Sequence, residues 1–482
     1  MAVSERSYRP PTREIGGEKC AVFGIANVPQ AASHTLTGLH ALQHRGHESS
    51  GIVSSDGQQV LSSHKGLGKV DEVFSPLVID PATVLPGDLA MGHNRYGTYT
   101  KNAEGGHIQP ILNDEHSLAV AHNGNLPDTT KLEAFLDGKG IMHGDLNDTE
   151  MMQAAIAHFV GRGASLENAV LETVPLFTGS FSLLAMDKDK IVAIRDNRGI
   201  RPLSIGLKNG GYVFSSETCA FDIIDAQHIR DVNPGEMVVA HRDGGLFSVP
   251  FVEGEQKLDI FEFVYFARPD SYLLGQSVNT VRKNFGKTLW EESHVVGDIV
   301  IPVLDSGTPA AEGYAEASGI PFRNGFVKNR GAGRTFITPG QEKRASEVRM
   351  KLNPLREEIA NKRLIVVDDS IVRGTTSREI VRRLKNAGAR EVHMLITSPP
   401  IRFPDFYGID TPRQVELIAA TRSIKEICRF IGADSLTFLS VDGMVRATGL
   451  PREVFSTSSF TGEYPIDIGK RRQEVNFNLV SF

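Results

Sequence analysis

The chain has 482 residues, and 52 Lys and Arg against 58 Asp and Glu leave a formal net charge of −6. That mild acidity gives no electrostatic reason to bind nucleic acid or an anionic membrane surface, and 40% hydrophobic with 23% charged residues is a globular balance. No run of about 18 apolar residues occurs, which excludes a membrane-spanning helix, and three scattered cysteines exclude a disulfide scaffold and point to a reducing, cytoplasmic setting.

Residues 1–19 hold no apolar signal segment and mix Glu5, Glu14 and Glu18 with their arginines, so they read as a removable leader. CAVFGIANV (20–28) is strand-like and starts abruptly. Helical segments are expected near 31–43 and 149–162. SFSLLAMD (180–187), KIVAIRD (190–196), GYVFSS (211–216) and GEMVVAH (235–241) read as short antiparallel strands. Residues 20–255 therefore form an α+β unit. From residue 256 the pattern changes. VVGDIVIPV (295–303), LIVVDD (364–369) and EVHMLIT (391–397) are continuous apolar strands. They alternate with helices from about Ala310 to Ser318 and through about Ala387. That alternation predicts a parallel sheet covered by helices over 256–445. Residues 446–482 form a C-terminal tail, read as solvated after about 465.

LIVVDDSIVRGTTS (364–377) is the most informative stretch. A buried strand ends in Asp368 and Asp369, and small hydroxyl residues lead into a helix. Loop amides and a helix N-terminus suit a phosphate. Adjacent carboxylates suit sugar hydroxyls or a magnesium shell. The bland reading, a capped helix after a strand, leaves two acids on a buried strand without a purpose. The segment resembles the phosphoribosyltransferase family. That resemblance implies that Asp368 and Asp369 hold the ribose of phosphoribosyl pyrophosphate (PRPP). Arg373, Gly374, Thr375, Thr376 and Ser377 would take its 5′-phosphate. Asp305, Ser306, Gly307 and Thr308 would take the pyrophosphate. Mg2+ would sit with Ser306, Asp368 and Asp369.

A cysteine directly after a leader suggests an N-terminal nucleophile whose own α-amine is the base, although a lone Cys20 is more often a small buried hydrophobe. LQHRGHESSGI (42–52), GHNRYGT (92–98), AHNGN (121–125) and NDTE (147–150) follow it. Together they resemble the class II glutamine amidotransferase domain, an N-terminal-nucleophile fold of stacked antiparallel sheets between helices. The resemblance implies an oxyanion hole at Asn123 and Gly124 and a glutamine pocket with Arg95, Asp148, Thr98 and Arg45. His40, His44 and His47 lack a completing acid or cysteine and read as structural rather than as metal ligands.

Both halves in this order resemble the amidophosphoribosyltransferase family, through RGIRPLSIG (198–206), SSETCAFD (215–222), YFARPDS (265–271), VKNRGAGRTFI (327–337) and FYGID (406–410). The family makes 5-phosphoribosylamine from glutamine and PRPP, opening purine synthesis. It implies purine nucleotides as inhibitors and a homo-oligomer, a tetramer by resemblance, with Lys328 and Arg334 meeting phosphates. Some members hold an iron–sulfur cluster on four cysteines. The matching positions here are Asp259, Asp405, Glu453 and Ser456, which supply no thiolate, so no cluster is expected. Ala21 and Asn147 replace a usual glycine and serine. Gly331-Ala332 replaces Tyr-Val in a loop that closes over PRPP, which predicts weaker closure. The competing expectation is therefore a PRPP- or nucleotide-sensing protein with an uncoupled glutaminase.

Overall fold

The computed structural model describes residues 20–58, 61–75, 80–95, 107–113, 115, 117–329, 352–409, 411, 413–477 and 479. Strand Ala21–Ala26 is buried at every position, so it belongs in the middle of a sheet and not at its edge. It lies between Gly211–Ser215 and Leu89–Arg95 in a seven-stranded antiparallel sheet that continues through Ser49–Ser55 to Ser62–Leu67. Register places Ala21 opposite Asn94, which sets Cys20 beside the strand end that carries Arg95. A second antiparallel sheet has six strands, with Leu118–Asp128 against Thr178–Met186 near one edge.

The two sheets face each other through Val22, Met91, Ala119, Ala121, Leu184 and Ala193. Helix Ala31–Ala41 covers the outer face of the first sheet, and helices Asp148–Val160 and Leu166–Thr173 cover the second. Each sheet thus buries both faces at its centre, where Ala21–Ala26 and most of Thr178–Met186 are buried, while edge strands such as Ser62–Leu67 alternate between half-buried and exposed. The expected stacked sheets between helices are present.

The second half carries a four-stranded parallel sheet in the order Ile299–Pro302, Arg363–Asp368, Glu391–Ile396, Ser435–Phe438. Helices Val278–Ser293 and Thr308–Ser318 pack on one face, Thr375–Asn386 and Ile424–Ile431 on the other. The helix expected from Ala310 begins two residues earlier, because Pro309 suits a first helical turn. Among the described residues no helix is long and apolar enough to cross a membrane.

The C-terminal residues depart from expectation. Phe455–Ser456 pairs in parallel with Leu258–Asp259. Ile468 and Val475 are buried with Ile200, Phe403, Phe406 and Tyr407. The segment after 465 is therefore packed, not a solvated tail. Lys470, Arg471 and Arg472 hide this in the sequence; Arg471 lies over the Phe406 ring at 4.8 Å, its stem covering apolar surface.

Candidate active site

Cys20 is half-buried at the start of its strand. The Val22 amide donates to Ser216 Oγ at 3.0 Å, and Asn123 Nδ2 donates to the same oxygen at 3.4 Å. Ser216 thus ties the cysteine's strand in one sheet to the Asn123 strand in the other. Gly124 has φ +148°, and a Cβ there would stand 2.1 Å from Ser180 O, so no other residue fits.

Arg95 and Asp148 are joined by a chain of polar contacts. Arg95 Nη1 donates to His107 O at 2.6 Å, and His107 Nδ1 lies 2.8 Å from Glu150 Oε1. Glu150 and Asn147 form a capping box at the head of helix Asp148–Val160. Asparagine caps a helix as well as serine, so the Asn147 replacement keeps its job. Asp148 Oδ2 accepts the Leu126 amide at 3.2 Å, which holds its carboxylate against the Asn123 strand. Thr98 lies outside the described residues.

Two buried histidines of these strands, His93 and His122, favour the neutral form. Burial pushes His93 down to about 3 and holds His122 below the ordinary imidazole range. His93 Nε2 and His122 Nε2 sit at 3.1 and 3.2 Å from the carbonyls of His122 and Ser180. His44 lies 2.7 Å from Glu217 Oε1.

Arg45, expected to support the glutamine pocket, is fully buried. Its guanidinium has no exposed surface and is spent beneath the pocket. Nε donates to Cys20 O at 3.3 Å, Nη1 to Glu217 and Glu262, and Nη2 to Glu262 at 2.8 Å. It steadies the cysteine's backbone and cannot grip a substrate carboxylate.

Glu262 begins a network that sequence reading missed. Arg201 Nη1 reaches Asp259 at 3.2 Å and Glu262 at 3.4 Å, and Nη2 reaches Asp405 at 3.4 Å. Two of the positions compared with cluster cysteines, Asp259 and Asp405, are therefore buried partners of Arg201. Ser456 is buried beside them in sequence register, and Glu453 is exposed. These residues do not fit an iron–sulfur cluster.

Burial pushes the Asp259 carboxyl up to about 7, with Arg201 pulling it down and Asp405 adding to the rise. Between the ordinary carboxylate range and pH 7, the folded chain keeps a proton that the unfolded chain releases. Stability contributed here is complete below that window and is lost as pH rises through it. Asp259→Asn removes the titration. Its melting temperature relative to the parent protein is expected to climb between pH 4 and 7 and level off above. Melting curves at stepped pH test this; a constant difference across the window contradicts it.

At the second centre, Asp368 and Asp369 end the central parallel strand and are each 7% exposed. They line a cavity of about 200 Å³ with Ser306, Arg373, Gly374, Thr376 and Ser377. Carboxyl ends of parallel strands are where open α/β sheets bind ligands. Asp369 accepts from Ser306 Oγ, and from Ser370 Oγ at 2.5 Å. Burial and the neighbouring Asp369 push the Asp368 carboxyl well above its ordinary value. Thr375 opens the helix that follows.

Other expected residues stand differently. Arg373 Nη2 is bonded to Glu416 at 2.8 Å, so its charge is shared with a carboxylate. Asp305 pairs with Lys328, both partly exposed, outside the cavity wall. Gly307 and Thr308 form the turn and the helix start behind Ser306. Arg334 and Gly331-Ala332 lie outside the described residues. Much of the rest of the cavity wall is apolar and was not foreseen, with Phe261, Tyr265, Phe266, Ile401 and Ile409 beside the hydroxyls of Thr411 and Ser459. The motifs YFARPDS and FYGID were its signal.

Ser306, Asp368 and Asp369 offer hard oxygen donors, and two crowded, nearly buried carboxylates fit a small divalent cation. Mg2+ is usually held by one or two carboxylates plus substrate phosphates.

Family models agree with this division. A glutamine amidotransferase domain model matches residues 93–222, and a phosphoribosyl transferase domain model matches residues 282–398. The Bacillus subtilis amidophosphoribosyltransferase is 44% identical over 470 residues, covering 94% of this chain and 96% of that one. The Synechococcus elongatus amidophosphoribosyltransferase is 46% identical over 472 residues, covering 96% and 93%. The structure of glutamine PRPP amidotransferase from B. subtilis, complexed with ADP and GMP, superposes with a TM-score of 0.86 at 43% identity, over 94% of this chain and 98% of that chain. The chain belongs to the amidophosphoribosyltransferase family, enzymes of pentosyl transfer that take part in purine synthesis.

Proposed function

We propose that the chain transfers ammonia from glutamine to PRPP, giving 5-phosphoribosylamine, glutamate and pyrophosphate. The observation that carries this is the segment shared by the two centres. Asn125 Nδ2 donates to Phe406 O at 2.8 Å, and Gly408 lies against Gly124. One residue further on, Ile409 lines the Asp368–Asp369 cavity.

With residues 1–19 removed, the Cys20 α-amine takes the thiol proton and the thiolate attacks the glutamine amide. Asn123 Nδ2 and the Gly124 amide receive the tetrahedral oxygen. Arg95 takes the substrate carboxylate and Asp148 its ammonium. A γ-glutamyl thioester forms and ammonia leaves; water later releases glutamate. Neutral ammonia crosses toward the apolar wall of Phe261, Tyr265 and Ile409.

Asp368 and Asp369 hold the ribose hydroxyls while positive charge develops at C1. Gly374, Thr375, Thr376 and Ser377 cradle the 5′-phosphate at a helix N-terminus. Lys328 and Arg334 serve the leaving phosphates, with Asp305 and Ser306. Mg2+ bound by Asp368, Asp369 and Ser306 would neutralise the leaving group. Purine nucleotides act as inhibitors, in keeping with ADP and GMP in the B. subtilis structure, and the working form is a homo-oligomer. Near-full-length identity to amidophosphoribosyltransferases favours this reading over a sensor.

The test is glutamate and pyrophosphate release from glutamine with magnesium, PRPP present or omitted. Equal release of both, dependent on PRPP, is expected. Glutamate without pyrophosphate would instead mark an uncoupled glutaminase.

A further inference from the structure

Arg201 is buried, far from either reacting centre in role, yet it is the hub where elements from both halves meet. Its own backbone is fixed first. Arg195 Nε and Ser182 Oγ both donate to Arg201 O, at 2.8 and 3.2 Å. Its guanidinium then faces the second half. Nε donates to Tyr407 O at 3.0 Å, and Nη2 meets Asp405. Asp405 Oδ2 in turn accepts the Tyr407 and Ile409 amides, each at 2.8 Å. One carboxylate and one guanidinium therefore set the whole turn 405–409.

That turn rests on the oxyanion strand. Gly408 has φ +111°, and a Cβ there would lie 2.9 Å from the Gly124 carbonyl carbon. Phe406 O takes the Asn125 side chain. Through Nη1, Arg201 also holds Glu262, which clamps Arg45, whose Nε holds Cys20 O. Two branches thus leave Arg201. One ends on the backbone of Gly124, the other on the backbone of Cys20. Burial opposes the guanidinium charge, but Asp259, Asp405 and Glu262 hold it in place.

From this geometry we infer that Arg201 is a positioning residue for the amide-cleaving step, holding the oxyanion backbone and the nucleophile in register through Asp405 and Glu262. It touches no substrate. Its effect falls on transition-state geometry, since a misplacement of about 1 Å costs on the order of 10²-fold in rate. The inference rests on the glutaminase roles proposed for Cys20, Asn123 and Gly124.

Glutamine-dependent and ammonia-dependent synthesis are measured with the full-length chain carrying Arg201→Gln, Arg201→Lys or Gly408→Ala. The parent protein's glutamine-dependent synthesis tests the proposed function itself. Arg201→Gln is expected to lower the glutamine kcat about tenfold or more, with the glutamine KM and the ammonia-dependent rate each within about threefold. Arg201→Lys, which keeps a cation near Asp405, recovers most of the loss. Gly408→Ala pushes on Gly124 directly, and its glutamine kcat is expected to fall at least about threefold further than its ammonia-dependent rate even if Arg201→Gln does not fold. Glutamine and ammonia rates falling together in Gly408→Ala, a rise in KM with kcat unchanged, or no effect of either variant overturns the inference.

Discussion

Cys20→Ala is expected to reduce glutamine-dependent synthesis to background while leaving ammonia-dependent synthesis within about twofold, since the two centres act on different bonds. The thiolate is the nucleophile, and neither remaining cysteine can substitute. Burial, and then the Glu217 charge, push the Cys219 thiol up. Burial and Asp434 do the same for Cys428. Both are held as thiols at neutral pH. Alanine keeps the backbone carbonyl that Arg45 Nε holds, so the variant loses the sulfur and not the local fold. Loss of both activities in a protein that melts like its parent would sink the division of labour. The active parent protein is expected to have an intact mass that begins at Cys20.

The strands that sequence patterning located were those made of continuous apolar residues, Ala21–Ala26 and Arg363–Asp368 among them. Two strands of the glutaminase half, Leu89–Arg95 and Leu118–Asp128, were legible as motifs and not as strands. Leu118–Asp128 includes the polar run His122, Asn123, Gly124 and Asn125, which breaks its apolar run; Asn123 Nδ2 donates across the sheets to Ser216 Oγ, and Asn125 Nδ2 to Phe406 O in the second half. The acids Asp368 and Asp369 stood out because the end of a buried strand is a costly place for two charges. The surroundings of Arg45 stayed hidden for the opposite reason. Its partners, Glu217 and Glu262, lie 172 and 217 residues away, and no spacing within one element reveals a pair at that separation. Arg201 with Asp405 is the same case. Long-range buried ion pairs belong to the tertiary fold, so a sequence shows their members only as isolated charges.

Asp368→Asn is expected to change activity and stability in opposite directions. Two adjacent carboxylates, each 7% exposed, cannot both be ionised cheaply. Burial first, and then the Asp369 charge, raise the Asp368 carboxyl well above its ordinary range. A raised pKa means the folded protein opposes ionisation that the unfolded chain accepts freely, so the acid costs stability at neutral pH. Asparagine keeps an oxygen for the Asp369 amide, now bonded at 3.0 Å, and removes the charge. The melting temperature without ligands should therefore rise at pH 7.5, and the gain should shrink at acid pH, where the parent carboxyl is protonated. On the roles proposed for Asp368, synthesis from glutamine and from ammonia should both fall about 100-fold or more, because the ribose and the cation would lose a donor needed in the transition state. An acid kept for the fold would behave otherwise: its removal would lower the melting temperature and spare turnover. A stabilised, inactive Asp368→Asn thus identifies the carboxylate as one retained for binding against the interest of the fold, and a destabilised, active one refutes that assignment.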